Sequence, residues 1–134
     1  MEFTDIRDDS ESFQCDRYQK LSEMVDGEVI EGIVVGRHTN TKFENAQEVY
    51  RLFTPAHELV GVNGTFKLNG LMQQVPDGCY VRIRKTGERS YVDKKSGEDR
   101  TTVACVVSIA SENPEVEALR AASSYQPVDA FAGV

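Results

Sequence analysis

Tyr80, Arg82 and Arg84 alternate with Cys79, Val81 and Ile83. A strand over residues 79–86 would therefore bury the apolar set and present one phenol and two guanidinium groups on its other face. The stretch that follows adds Lys85, Arg89, Tyr91, Lys94, Lys95 and Arg100, so residues 82–100 hold 7 bases against 4 acids. Cations that track phosphates beside flat rings that stack on bases are the groups used in single-strand nucleic-acid binding. Each ring–base stack contributes roughly 1–3 kcal/mol with little regard to base identity. Groups of the same two kinds stand earlier in the chain: Arg37, Lys42 with Phe43, and Tyr50 with Arg51. The competing reading of the whole set is a solvated hairpin whose Lys, Arg and Glu side chains only face water.

Other chemistry has less to work with. The two histidines, His38 and His57, have no partner at metal-ligand spacing. Neither a G-x-x-x-x-G-K-[ST] loop nor a G-x-S-x-G turn is present. Cys15, Cys79 and Cys105 are odd in number and lack C-x-x-C spacing, which predicts a reducing compartment and neither a disulfide framework nor a zinc site. The expectation is a binding protein rather than an enzyme, with no catalytic residue, metal or cofactor.

Charge is distributed unevenly. The 134 residues carry −7 overall, but residues 1–31 carry −7, residues 32–111 carry +3 and residues 112–134 carry −3. An acidic chain can present a basic strip, and it is the local field that attracts an anion. No apolar run reaches the roughly 18 residues of a membrane span, and Met1-Glu2-Phe3-Thr4-Asp5 lacks the basic start of a signal peptide. A cytoplasmic protein is expected.

The elements that must position these groups follow from periodicity. Residues 1–27 read as an acidic arm ending in a short helix, with Tyr18, Leu21, Met24 and Val25 on one face and Asp26-Gly27 as its stop. Residues 28–111 read as five strands. The first spans about 28–38 and carries Gly32 and Gly36, as a bent barrel strand would. The second spans about 47–54 and the third 59–62. A helix of one to two turns follows around Leu68 and Leu71. The fourth spans 79–86 and a polar loop runs over 87–100. The fifth, about 101–110, is apolar enough to be buried on both faces. Asn113-Pro114-Glu115 opens a C-terminal helix to about Ala122, followed by a flexible tail to Val134. Three strands, a helix and two strands is the order of an all-β, five-stranded OB-fold Greek-key barrel, here with flanking N- and C-terminal helices. In that barrel the loops joining strands 1–2 and 4–5 border the ligand face. Here they carry Lys42 and Phe43, and Arg89, Tyr91, Lys94 and Lys95.

Residues 61–108 resemble small OB-fold single-stranded DNA-binding or replication-associated proteins of bacteriophages. The resemblance rests on Val62-Asn63-Gly64-Thr65, on Leu68 with Leu71, on the run from Val75-Pro76-Asp77-Gly78 through Cys79-Tyr80-Val81-Arg82-Ile83, and on Thr86-Gly87 and Lys95-Ser96-Gly97 before a strand. Where that family often places an aromatic residue after "RI", this chain has Arg84-Lys85. The resemblance implies sequence-tolerant binding of single-stranded DNA in replication, repair or recombination, in a bacterial host's cytoplasm. RNA is the other ligand to test. An interaction adaptor or host-factor inhibitor on the same barrel is the alternative, with replication or host proteins as partners, and a DNA mimic is a third. An exposed edge strand would also allow a homodimer.

Overall fold

A computed structural model of the chain describes residues 2–3, 15–40 and 47–124. It holds six strands and two short helices: β1 (Arg17–Lys20), β2 (Val29–Asn40), β3 (Gln47–Phe53), β4 (Leu59–Asn63), α1 (Phe66–Met72), β5 (Tyr80–Val92), β6 (Asp99–Ile109) and α2 (Pro114–Ala122). All six strands join one curled sheet in the order β1-β4-β3-β2-β5-β6. The architecture is mostly β and barrel-like, with six strands rather than the five expected.

β2 organises the sheet. Its first half, from Val29 to Ile33, pairs with β5, and its second half, from Ile33 to Asn40, pairs with β3. One strand can serve two neighbours only if it bends, and two features allow this. A Cβ on Gly32 would lie 2.5 Å from the Phe53 carbonyl oxygen, so only glycine permits that approach. The register then slips between Val34 and Gly36, the one-residue excess of a β-bulge. Ile30, Val34, Tyr50, Leu52, Val60, Val62, Val81 and Ile83 fill the inner face, with Leu68 and Met72 of α1 packed among them. Thr65 Oγ1 accepts from Leu68 N and caps α1.

The N-terminal segment departs from expectation. In place of a helix it forms β1, parallel to β4, followed by a 3-10 turn over Leu21–Glu23. The edge of β4 supplies the hydrogen bonds that a helix would have made internally. Asp16 N donates to Leu59 O at 2.8 Å, Leu59 N donates to an Asp16 carboxylate oxygen at 2.8 Å, and Arg17 pairs with Glu58. The 3-10 turn delivers Leu21 and Met24 to the core, each such burial contributing roughly 1.5–3 kcal/mol. Gly27, at φ +88°, then turns the chain and donates to Lys85 O at 2.7 Å.

β5 and β6 depart too. Residues 87–100 are not a loop: β5 continues to Val92 and β6 begins at Asp99, so the two strands form a long ribbon. Nor is β6 buried on both faces. It is the last strand of the sheet, and Val106 and Ile109 are 42% and 49% exposed. α2 forms where expected, with Asn113 Oδ1 accepting from Val116 N at 2.9 Å. It packs against β2, and its Arg120 Nε donates to the O of Gly78, just ahead of β5, at 2.8 Å. Among the described residues no helix is long and apolar enough to cross a membrane.

Candidate functional site

Directly paired residues on neighbouring strands point to the same face, so the β5–β6 register decides which side chains meet. Val81, Ile83 and Lys85 pair with Ile109, Val107 and Cys105 on the inner face. Arg82 and Arg84 pair with Ser108 and Val106 on the outer face. The register then shifts between Lys85 and Gly87, leaving Thr86 unmatched. Beyond this second bulge Arg89 pairs with Thr102 and Tyr91 with Arg100. Thr102 and Arg100 fall in phase with Val106 and Ser108 along the unbroken β6. The bulge therefore brings the odd-numbered Arg89 and Tyr91 onto the face of the even-numbered Arg82 and Arg84.

The resulting row is not uniform. Tyr80 is half-buried, and its hydroxyl donates to Glu31 Oε1 at 2.8 Å. Burial, with the Glu31 bond behind it, pushes its phenol up to about 12. Arg82 Nε donates to Glu31 Oε2 at 2.6 Å. That guanidinium bond holds the Glu31 carboxyl below its ordinary value. Tyr80 and Arg82 are thus fixed by a carboxylate from β2 that sequence reasoning did not include in the site. Its place on the Val29–Glu31–Ile33 alternation was the available signal; the pairing sets it opposite Arg82, with Ile33 opposite Tyr80. Arg84 and Arg89 are exposed and form no ion pair with a described residue, and the same holds for Lys94 and Lys95. Tyr91 is 47% exposed.

The outer face is hollowed around Arg82. A hollow of about 220 Å³ is lined by Val29, Arg82, Arg84, Val106 and Ser108. A second, of about 160 Å³, is lined by Tyr80, Arg82, Ser108, Ile109 and Ala110. A third, of about 630 Å³, lies where β5 meets α2 and again includes Tyr80, Arg82 and Ala110. Arg82 belongs to all three, so together they trace one trough along β5. At the far end of the ribbon the turn is held by Asp93. Its carboxylate accepts from Lys95 N at 2.8 Å and pairs with Arg100 at 2.9 Å. The Lys95 amide bond is the first cause of its lowered pKa. Gly97 supplies the left-handed backbone at φ +70°, and Lys94 and Lys95 project at the tip.

Other candidate residues serve elsewhere. The bulge after Val34 turns Arg37 inward, opposite Tyr50. There its guanidinium donates to Met72 O at 3.0 Å, Val75 O at 2.8 Å and the Asp77 carboxylate at 2.7 Å, and lies 5.6 Å from the centre of the Tyr50 ring. Arg37 is a clamp on the end of α1 rather than a phosphate ligand. Tyr50 is 3% exposed and donates to Asn69 Oδ1 at 2.7 Å, and burial first of all pushes its phenol up to about 12. Its ring is core, with no face left for a base. Arg51 is half-buried on β3, separated from β5 by β2. Lys85, expected beside the row, is 3% exposed. Its ammonium donates to Met24 O at 2.7 Å and Glu88 Oε1 at 2.9 Å, tying the N-terminal turn to β5. Lys42 and Phe43 lie outside the described residues. Cys15, Cys79 and Cys105 are free thiols, and burial pushes those of Cys15 and Cys105 up, which lowers their thiolate fraction.

What the geometry brings together is a trough along Tyr80, Arg82 and Arg84 with apolar patches from Val29 and Val106, continued on the same face of the ribbon by Arg89 and Tyr91, with two lysines at the turn. It can neutralise several negative charges in a line and offer a ring beside them. Comparison with known proteins finds no matching family model, no matching curated protein and no matching solved structure.

Proposed function

We propose that the chain binds single-stranded nucleic acid, DNA in the first instance, along the outer face of β5 and β6. The observation that carries this reading is the alignment of Arg84, Arg89 and Tyr91 along one face across the Thr86 bulge, with Arg84 and Arg89 engaged by no described acid. A phosphate backbone needs cations that are not already neutralised, and base stacking needs an exposed ring. An OB-like barrel is supported by the pairing of β2 with both β3 and β5 and by α1 between β4 and β5. In such a barrel the turn at residues 93–98 is the loop that borders the ligand. A role in replication, repair or recombination would follow from a sequence-tolerant site of this kind.

One feature favours a second reading, an interaction adaptor. The outer edge of β6 pairs with no described strand and shows Val106 and Ile109, a template for strand addition by a replication or host protein or by another copy of the chain. Titration of fluorescent oligo-dT at low and high salt separates the two. Salt-sensitive binding supports the nucleic-acid reading, and absence of binding at low salt refutes it.

A further inference from the structure

The trough does not stop at Tyr80 but opens into the hollow of about 630 Å³ beside α2, within the range of small-ligand pockets. Part of its lining is apolar, from Val116, Leu119 and Ala122 of α2. The polar part holds Glu31, Tyr80 and Arg82 together with His57, Asn113 and Glu115. A hollow with apolar lining and two carboxylates suits a planar heterocycle better than a phosphate. Glu31 is the carboxylate that the sheet holds in place there. Each of its carboxylate oxygens already accepts one bond, from Tyr80 or from Arg82, but a carboxylate has about four acceptor sites. The remaining ones call for a donor.

We propose that this slot receives one nucleobase of the bound strand, and that Glu31 favours a base with an exocyclic amino group over thymine or uracil. Cytosine presents its N4 amino group as a donor, whereas thymine presents the O4 acceptor at the equivalent place, which would face a carboxylate. The proposal rests on the reading of the trough as a single-strand site and adds a selective position to otherwise sequence-tolerant binding.

The test compares a short oligo-dT with the same strand carrying one dC, by competition anisotropy on the full chain. A charge-assisted hydrogen bond predicts that the single dC tightens binding roughly tenfold. Ala118→Phe and, separately, Ala122→Phe would fill the slot from exposed positions on α2. Each should abolish the dC preference while oligo-dT still binds. Equal affinity of the two strands for the unmodified chain, or a preference that survives both substitutions, would overturn the slot alone. If neither strand binds at low salt, the trough reading fails and the slot falls with it.

Discussion

Replacing both lysines at the ribbon tip, Lys94→Gln with Lys95→Gln, should flatten the salt dependence of binding by a calculable amount. Arg84, Arg89, Lys94 and Lys95 are the cations of the β5–β6 ribbon that no described acid engages. If each neutralises one phosphate, single-strand counterion release of about 0.7 per contact gives a log–log slope of about −2.8. Between 50 and 200 mM salt that slope costs about 50-fold in affinity. Removing the two lysines leaves a slope of about −1.4 and a loss of about sevenfold over the same interval. Both side chains are exposed, and the turn is held by Asp93 and by backbone bonds. Stability should therefore stay within about 0.5 kcal/mol. Fluorescence anisotropy with labelled oligo-dT across a salt series reads the slope, and a urea melt reads the stability. A double variant with the parent's slope would show that the tip does not touch phosphate. A parent slope near zero would refute the electrostatic reasoning as a whole.

Arg37→Ala should destabilise the fold by about 1–3 kcal/mol, because Met72 O, Val75 O and Asp77 lose their donor. It should leave the salt slope unchanged, and a drop of about 0.7 would instead return Arg37 to the phosphate contacts. Tyr50 and Tyr80 both have phenols pushed up to about 12, above the ordinary value of about 10. A folded-state pKa above the unfolded one gives stability that is fully present below about pH 10 and lost as pH rises toward about 12. Tyr50→Phe and Tyr80→Phe should each weaken that alkaline loss in a pH series of urea melts, and identical pH profiles would contradict the burial argument. Gly32→Ala should cost about 1–3 kcal/mol, since its Cβ would meet the backbone oxygen of Phe53 at 2.5 Å. A change below about 0.5 kcal/mol would mean that β2 and β3 can separate there without penalty.

The parts of this fold that were readable in one dimension are those set by neighbours in sequence. The alternation around Val81 and Ile83 placed Arg82 and Arg84 correctly because strand period is local. Asn113-Pro114 marked the start of α2 because capping is local as well. What escaped was set by distant partners. Tyr18, Leu21 and Met24 have helical spacing, yet the edge of β4 took the backbone of Arg17–Lys20 and left Leu21–Glu23 a single 3-10 turn. The apolar run of β6 implied burial on both faces, but whether another element covers the outer face, where Val106 stands exposed, is decided by topology rather than composition. Arg37 and Tyr50 looked like ligand groups because Asp77 and Asn69, which occupy them, lie far along the chain. The two bulges were hidden most completely. A strand with one surplus residue looks regular in sequence, yet one bulge turned Arg37 inward and the other gathered Arg89 and Tyr91 with the arginines.

Thr86 is the surplus residue of the ribbon, and the pairing absorbs it as a bulge. Deleting it would give a regular strand in which Arg89 stands four places after Arg84, on the same face and still opposite Thr102. The surface would lose no contact group. It would lose the local bend and added twist that a bulge gives a ribbon. This one residue therefore supplies curvature, the way the two strands wrap, rather than any of the side chains they display.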